Sequence, residues 1–163
     1  ELLVNAAGMA DDALLARANP GQWARSLDVN LRGAFLCARA ALPGMARARR
    51  GHIVMVGSFS AVHGNPGQTA YAAAKSGLIG MAQSLAREYG SRGVRVNCLL
   101  PGFIDSRMTA ALSQRAAARI MAEHALERRA TAHDAARFLV CLHGLEAVSG
   151  QVFNLDSRIG KWS

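Results

Sequence analysis

The sequence predicts an α/β fold in which a doubly wound parallel sheet is covered by helices on both faces. Short apolar runs typical of buried strands alternate along the chain with longer stretches whose apolar residues recur at helical spacing. The chain has 163 residues, 51% of them hydrophobic, which is enough to bury the core of a single domain over residues 1–163. No apolar run approaches the roughly 20 residues of a membrane-spanning helix.

The first strand and the first helix follow from composition and periodicity. Residues 2–5 form a short apolar run, as expected of a central strand. Apolar residues then recur at helical spacing over 22–49, which predicts one long helix, bent near Gly33 or Pro43 and closed by Gly51.

The middle of the chain repeats this strand–helix pattern. The β-branched run 52–56 predicts a fully buried strand, and the segment 57–69, rich in Gly, Ser and Pro, predicts a loop. Residues 70–89 are apolar on more than one face, so we expect a helix that packs on two sides. Residues 94–100 predict a further buried strand.

The last third of the chain begins with an alanine-rich stretch that predicts helix. Thr131 is followed three residues later by Asp134, which resembles a capping box and predicts a helix that runs to His143. Residues 151–155 predict the final strand.

The charge of the chain restricts its partners. Nineteen basic residues against eleven acidic ones give a net charge of +8, which suits nucleic acid, an anionic membrane surface, or an acidic protein or phosphorylated substrate. No aromatic residues are interleaved with the densest basic group, Arg47, Arg49 and Arg50, which argues against a stacking platform for single-stranded nucleic acid. For most of the arginines a solvated basic surface is the simpler interpretation.

The cysteines do not form a recognisable framework. Cys37, Cys98 and Cys141 are odd in number and far apart, and no Cys/His cluster has the spacing of a zinc site. We therefore expect no metal, reduced and buried thiols, and a cytoplasmic location.

Tyr71 and Lys75 are the first candidates for chemistry. They lie four residues apart near the start of a predicted helix, so both side chains share one face. A neighbouring ammonium and the helix N-terminus both favour an ionised phenol, which would lower the pKa of Tyr71 toward neutrality. Taken alone, the pair is as well explained by an interface aromatic beside a solvated lysine.

Ser58 and Asn30 are the other two candidates. Ser58 follows a buried strand, and the carboxyl ends of parallel strands are where ligands bind in such sheets. Asn30 lies inside a predicted helix, where asparagine is disfavoured because it competes for backbone hydrogen bonds. A turn-capping serine and a surface asparagine are the alternative interpretations.

Six segments together resemble one enzyme family, the short-chain dehydrogenase/reductases, in their order and spacing. The resemblance covers essentially the whole chain, and its closest subgroup is the 3-oxoacyl-[acyl-carrier-protein] reductases, which GNPGQTAYAAAKSGLIG and PGFIDSRMT resemble in particular. The six segments are NAAG at 5–8, DVNLRGAF around Asn30, IVMVGS ending at Ser58, YAAAK at 71–75, RVNCLLPGF at 95–103 and the closing SGQVFNLD.

The resemblance implies a role for each candidate residue. Tyr71 would be the general acid that protonates the substrate carbonyl oxygen, and Ser58 would hydrogen-bond the same oxygen. Lys75 would lower the pKa of Tyr71 and hold the nicotinamide ribose. Asn30 would order a water that links Lys75 to a proton relay.

The same resemblance implies a Rossmann-type three-layer sheet and a nicotinamide cofactor, NADPH by family habit. The glycine-rich phosphate-binding turn of the family does not occur in this sequence, so the choice between NAD and NADP is not readable. The residues implied in cofactor binding are Asn5, Ala6, Gly8, Tyr71, Lys75, Pro101, Gly102, Ile104 and Ser106.

The implied substrate is a 3-oxoacyl thioester on an acyl carrier protein. Such carriers are acidic, and Arg49 and Arg92 match the family positions that dock them near the mouth of the site, although ordinary solvated arginines explain both equally well. The helices predicted at 22–49 and 70–89 would form a homodimer or homotetramer interface. No nucleic acid or membrane partner is implied.

Two departures keep alternatives open. The family's C-terminal Asp-Gly-Gly is replaced by Asp156-Ser157-Arg158, which also fits a reductase of polyketide or other lipid pathways, or one acting on another carbonyl or alcohol. The chain begins at Glu1, directly before a strand, and lacks the N-terminal dinucleotide-binding βαβ units. We therefore expect an N-terminally truncated chain, the C-terminal catalytic part of a protein of about 240–250 residues, which could instead be a non-catalytic oligomerising remnant.

Overall fold

The sheet consists of four parallel strands. The computed structural model describes residues 1–110 and 112–159, and its strands lie in the order β1-β2-β3-β4. The strands are β1 (Leu2–Asn5), β2 (Gly51–Val56), β3 (Val94–Leu100) and β4 (Val152–Asn154). Because all of the pairings are parallel, the C-terminal ends of the strands lie together at what we call the carboxyl edge, and their N-terminal ends lie at the amino edge.

Helices and turns connect the strands. A π-helical turn (Asp28–Arg32) separates the first two helices, and short 3₁₀ turns occur at Leu15–Arg17 and Gly90–Arg92. The helices are α1 (Pro20–Leu27), α2 (Gly33–Ala48), α3 (Ser60–His63), α4 (Thr69–Tyr89), α5 (Arg107–Ala110), α6 (Gln114–Ala122) and α7 (Ala132–Gly144).

The two faces of the sheet carry separate apolar clusters, which makes three layers. Ile53 and Met55 of β2 point into the larger cluster, beneath α2 and α4. Val54, between them, points to the opposite face and packs with Leu99 and Leu142, the latter on α7. This alternation follows from the two-residue period of a strand, and the helices on both faces confirm the predicted α/β fold.

The helix predicted over 22–49, with a bend near Gly33 or Pro43, is confirmed, because α1, the π-helical turn and α2 follow one another without a gap; its predicted closing residue is wrong. The structure interrupts it at the π-helical turn directly before Gly33, and Pro43 lies inside α2 without ending it. The helix ends at Ala48, and Arg49, with φ 49° in the left-handed region, provides the cap. The predicted closing residue, Gly51, is instead the first residue of β2.

Other predictions are confirmed or corrected locally. Thr131 and Asp134 form the predicted capping box of α7. The loop predicted over 57–69 contains the short helix α3. Of the cysteines, only Cys98 is buried, whereas Cys37 and Cys141 are exposed. In the part of the chain that the structure describes, no helix combines the length and the hydropathy needed to cross a membrane.

Candidate active site at the carboxyl edge

The carboxyl edge brings together the residues that the sequence singled out from distant positions. Asn5 is the last residue of β1, Ser58 follows the end of β2 by two residues, and Pro101 follows β3 directly. α4 begins at Thr69, so its first turns carry Tyr71 and Lys75 across the same edge. The site is therefore assembled by the parallel topology.

Lys75 is deeply buried at this edge. Its side chain is 2% exposed, and Nζ donates a hydrogen bond of 2.8 Å to the carbonyl oxygen of Val56, the last residue of β2. Nζ lies 5.7 Å from the centre of the Tyr71 ring. The strand end thus fixes the position of the ammonium group relative to the phenol.

The protonation of the pair differs from the sequence-based expectation. Burial raises the pKa of Tyr71, a hydrogen bond with Ser58 opposes that shift, and the negative charge of Asp12 adds to it. Burial lowers the pKa of Lys75 to about 8. The expected lowering of the Tyr71 pKa toward neutrality is therefore wrong: the pKa is raised, and burial of the phenol is the largest cause.

Cys98 lies next to Lys75 in the core below the site. Burial raises the pKa of its thiol to about 11, with backbone contact from Gly57 and the charge of Lys75 opposing the shift. The charge of Cys98 in turn raises the pKa of Lys75, against the larger lowering by burial.

Asn30 lies in the π-helical turn and is 1% exposed. Its Nδ2 donates 2.9 Å hydrogen bonds to the carbonyl oxygens of Met9 and Ser26, and its Oδ1 accepts a 3.1 Å bond from the Met9 backbone N–H. π-helical turns are often found at functional sites, and here the turn directs an amide side chain into the segment after β1.

Gly8 keeps a space open above Asn30 and Lys75. A β-carbon at this position would lie 3.1 Å from Asn30 Oδ1 and 3.3 Å from Lys75 Nζ. Among the described residues, Nζ donates to Val56 alone, so it retains N–H groups that face this space. These features fit a ribose bound above Lys75.

The remaining predicted cofactor residues line the same edge. Asn5 is buried and donates from Nδ2 to Met55 Sδ at 3.3 Å, which fixes the end of β1. Ala6 is exposed after it. Beyond β3, Ile104 bridges to Ala130, and Ser106 bonds through Oγ to Thr109. Pro101 is half-buried.

The C-terminal segment that departs from the family pattern packs beside Ser58. Asp156 lies against Gly102, whose φ is +80° and where any side chain would collide with it. Arg158 forms an ion pair with Asp156 and stacks 3.5 Å from the ring centre of Phe59. His124 Nε2 is buried 3.9 Å from Asp156 Oδ2, and no described residue hydrogen-bonds it.

Arg49 and Arg92 lie at the amino edge. Arg49 caps α2 just before β2, and its guanidinium donates a 2.9 Å hydrogen bond to the Ser91 carbonyl oxygen. Arg92 ends the 3₁₀ turn just before β3. The six residues of β2 span about 20 Å, so within one chain neither arginine borders the catalytic group, contrary to the expected position near the site mouth.

Sequence reasoning missed two residues near Tyr71. Gln68 donates from Nε2 to Asp12 Oδ2 at 2.8 Å, and Asp12 also acts electrostatically on Tyr71. The only available signal was the position of Gln68 three residues before Tyr71 within GNPGQTAY. Nothing in the sequence indicated that Asp12 lies beside it.

Comparisons with known proteins agree with this geometry. A family model described as enoyl-(acyl carrier protein) reductase matches residues 1–157. The 3-oxoacyl-[acyl-carrier-protein] reductase FabG of Thermotoga maritima is 39% identical over 161 residues, covering 98% of this chain and 65% of the relative. Nodulation protein G of a Rhizobium species is 39% identical over 161 residues, covering 98% of this chain and 66% of that relative. FabG of Escherichia coli is 39% identical over 158 residues, covering 96% of this chain and 65% of that relative. The chain thus spans about 65% of the length of these curated relatives.

Proposed function

The chain belongs to the short-chain dehydrogenase/reductase family, and from this we propose that it catalyses NADPH-dependent reduction of a 3-oxoacyl thioester, carried by an acyl carrier protein, to the 3-hydroxyacyl thioester. One observation carries the proposal. At the carboxyl edge, the buried Lys75 is held by the end of β2, its Nζ lies 5.7 Å from the centre of the Tyr71 ring, and Ser58 follows the same strand by two residues. The printed names of the FabG relatives support the choice of substrate.

Tyr71 and Ser58 would act on the substrate carbonyl. A nicotinamide held at this edge would supply hydride chemistry toward the carbonyl carbon. The carbonyl oxygen would take its proton from the Tyr71 phenol and a hydrogen bond from the Ser58 hydroxyl as negative charge develops on it. Burial raises the pKa of Tyr71, so the phenol is protonated at neutral pH and can act as the acid.

Lys75 and Asn30 would support this proton transfer. The N–H groups of Lys75 that do not bond Val56 would hold the ribose in the space that Gly8 leaves open. Both N–H groups of Asn30 are used by Met9 and Ser26. A relay water held by the Asn30 side chain would therefore donate to Oδ1, which lies 3.1 Å from the position of a β-carbon at Gly8.

The nicotinamide side would be lined by the segment after β3. Pro101, Gly102, Ile104 and Ser106 lie there, next to the end of the strand that pairs with β2. The exact nucleotide remains part of the proposal, and NADPH is chosen from the family alone.

The amino edge is the proposed docking surface for the acidic carrier. Arg49, Arg50 and Arg95 line a cleft of about 400 Å³ there, and Arg92 lies beside it before β3. A carrier docked at this edge would serve the catalytic group of a neighbouring chain, which makes assembly part of the proposal. The cytoplasm is the expected location of such a reaction.

Assembly would use the outer surfaces of α2 and α4. Phe35 and Leu36 on α2 are each 47% exposed, more than a monomer of this size needs to leave uncovered. The outward residues of α4, such as Ala73 and Gly80, are small. A second chain could therefore pack closely against the backbone of α4, although little apolar area would be buried there.

Two tyrosines of the chain provide the test. Cofactor binding is followed by NADPH fluorescence, and turnover by NADPH oxidation with an acetoacetyl thioester. We expect Tyr71→Phe to retain binding and to lose about 10²-fold or more in kcat, and Tyr89→Phe, at the other end of α4, to keep both. A folded chain that neither binds NADPH nor turns over would contradict the proposal and favour a role in assembly alone.

A further inference from the structure

Two loops cross each other above the start of α4. Gln68, which precedes α4, donates from Nε2 to the carboxylate oxygen Oδ2 of Asp12 at 2.8 Å. One residue away on each side, the Ala13 backbone N–H donates to the Gly67 carbonyl oxygen at 2.9 Å. These two bonds join the segment after β1 to the segment that leads into the catalytic helix.

The amide of Gln68 is fixed by further hydrogen bonds on its other end. Its Oε1 accepts from Ser60 Oγ at 2.7 Å and from Asn65 Nδ2 at 3.2 Å. The Ser60 backbone N–H in turn donates to Ser58 Oγ at 3.2 Å. Ser60 and Gln68 therefore link Ser58 to the Asp12 carboxylate, each by hydrogen bonds from two of its groups.

Asp12 and Tyr71 line the same small cavity. Its volume is about 20 Å³, which is enough for one water molecule, and Trp23 and Thr69 close its sides. We propose that Asp12 is a positioning residue for Tyr71: Gln68 holds its carboxylate beside the phenol, where the negative charge keeps the phenol protonated until a substrate oxygen accepts the proton.

The charges around the phenol support this assignment. A negative charge disfavours phenolate formation, and the charge of Asp12 raises the pKa of Tyr71 in addition to burial. Asp11, also at this cavity, is paired with Arg25 at 2.9 Å, so the two charges largely cancel. Lys75 lies on the same helix, but burial lowers its pKa to about 8, so its ammonium has lost its proton before Tyr71 titrates and does not offset Asp12.

The inference depends on the proposed reductase function for its purpose, but its test needs no turnover. The experiment is an ultraviolet absorbance titration of tyrosinate in the cofactor-free chain, with Tyr89→Phe as the background so that Tyr71 alone is followed. Asp12→Asn keeps an oxygen that accepts from Gln68 and removes only the charge. We expect it to lower the midpoint of Tyr71 by about 0.5 on the pH scale at low ionic strength.

Asp11→Asn is the matched control, because it makes the same charge change one residue away. We expect it to shift the Tyr71 midpoint less than Asp12→Asn does. The Asp12→Asn shift should also shrink in about 1 M salt, since Asp12 is exposed and its field is screened there. An unchanged midpoint in Asp12→Asn, or equal shifts in the two variants, would overturn the proposal.

A second variant tests the clamp without changing any charge. Gln68→Met removes both the bond to Asp12 and the acceptor for Ser60. Since the carboxylate is then free to turn to solvent, the Tyr71 midpoint should fall in the same direction as in Asp12→Asn. A midpoint equal to that of the parent chain would show that Gln68 does not hold the charge in place. If the Tyr71 midpoint shifts in the variants as expected but the parent chain does not oxidise NADPH, this inference is supported and only the reductase function is contradicted.

Discussion

Asn30 and Met9 exchange two hydrogen bonds across 21 residues of sequence, with the Met9 N–H donating to Oδ1 at 3.1 Å and Nδ2 donating to the Met9 carbonyl at 2.9 Å. The side chain of Asn30 thus pairs with the backbone of Met9 as a neighbouring strand would. This exchange fixes the segment after β1 beside Gly8, above Lys75.

Replacing Asn30 by alanine should therefore reduce stability. The backbone N–H and C=O of Met9 and the Ser26 carbonyl would lose their partners, for an expected loss of about 2–4 kcal/mol in the free energy of unfolding. Urea denaturation measures this. Asn154→Ala on β4, where the side chain is exposed, should change stability by less than about 0.5 kcal/mol; similar losses in both variants would show that the pairing with Met9 is unimportant.

The buried Lys75 should make stability depend on pH. An unfolded lysine binds its proton up to about pH 10.4, whereas the folded chain releases the proton of Lys75 near its lowered pKa of about 8. Between these values the unfolded state binds more protons, so the contribution of Lys75 to stability rises with pH, by up to about 3 kcal/mol.

The measurement compares the parent chain with Lys75→Met at several pH values between 7.5 and 10.5 by chemical denaturation, a range set by these two pKa values. The variant subtracts the titrating groups that do not interact with Lys75, while the coupled thiol of Cys98 stays part of the difference. The free energy of unfolding of the parent should increase relative to that of Lys75→Met as the pH increases. If the free energies of unfolding of the parent and the variant change with pH in parallel, the pKa of Lys75 is not lowered in the folded chain.

A β-carbon at Gly8 should weaken cofactor binding. It would lie 3.1 Å from Asn30 Oδ1 and 3.3 Å from Lys75 Nζ, in the space proposed for the ribose. We expect Gly8→Ala to raise the Kd for NADPH by about 10-fold or more, since small displacements at such sites have large effects. Gly44→Ala in α2 meets nothing within 4 Å and should leave the Kd unchanged; binding that is equally strong in both variants would place the ribose elsewhere.

A charge at Phe35 should disrupt assembly. If α2 forms an interface, Phe35→Glu would bury a carboxylate against a second chain, so sedimentation velocity should show smaller species than for the parent. Leu126→Glu is the control, because Leu126 is 64% exposed and lies between α6 and α7, away from that surface. Oligomers that survive Phe35→Glu would exclude α2 as the contact.

Local chemistry made much of the fold predictable. The capping box at Thr131, the β-branched run of β2 and the spacing of Tyr71 and Lys75 all depend on neighbours within a few residues, which the sequence displays directly. The parallel order then places Ser58 at the carboxyl edge. These features required no knowledge of which distant segments meet.

What the sequence did not reveal depends on distant contacts. The π-helical turn that interrupts the long helix carries Asn30, whose amide bonds the distant Met9, and Asp12 is held by Gln68, 56 residues away. The pKa of Tyr71 moves upward because the fold desolvates the phenol, a quantity that spacing cannot give. Helices often end at a glycine, but Arg49, in the left-handed conformation, caps α2 two residues before Gly51.

The π-helical turn at Asp28–Arg32 also changes the direction in which the side chains of α1 face relative to those of α2. An α-helix advances about 100° per residue, and a π-helical turn accommodates one extra residue within a helix. Deleting one residue here would let α1 continue into α2 as a regular helix, but everything before the deletion would turn by about 100° relative to everything after it. Asn30 could then face Met9, or α2 could keep Ala38 and Leu42 in the core, but not both. The extra residue therefore rotates the part of the helix before the turn relative to the part after it. Asn30 can then face Met9 while the side chains of α2 face the core.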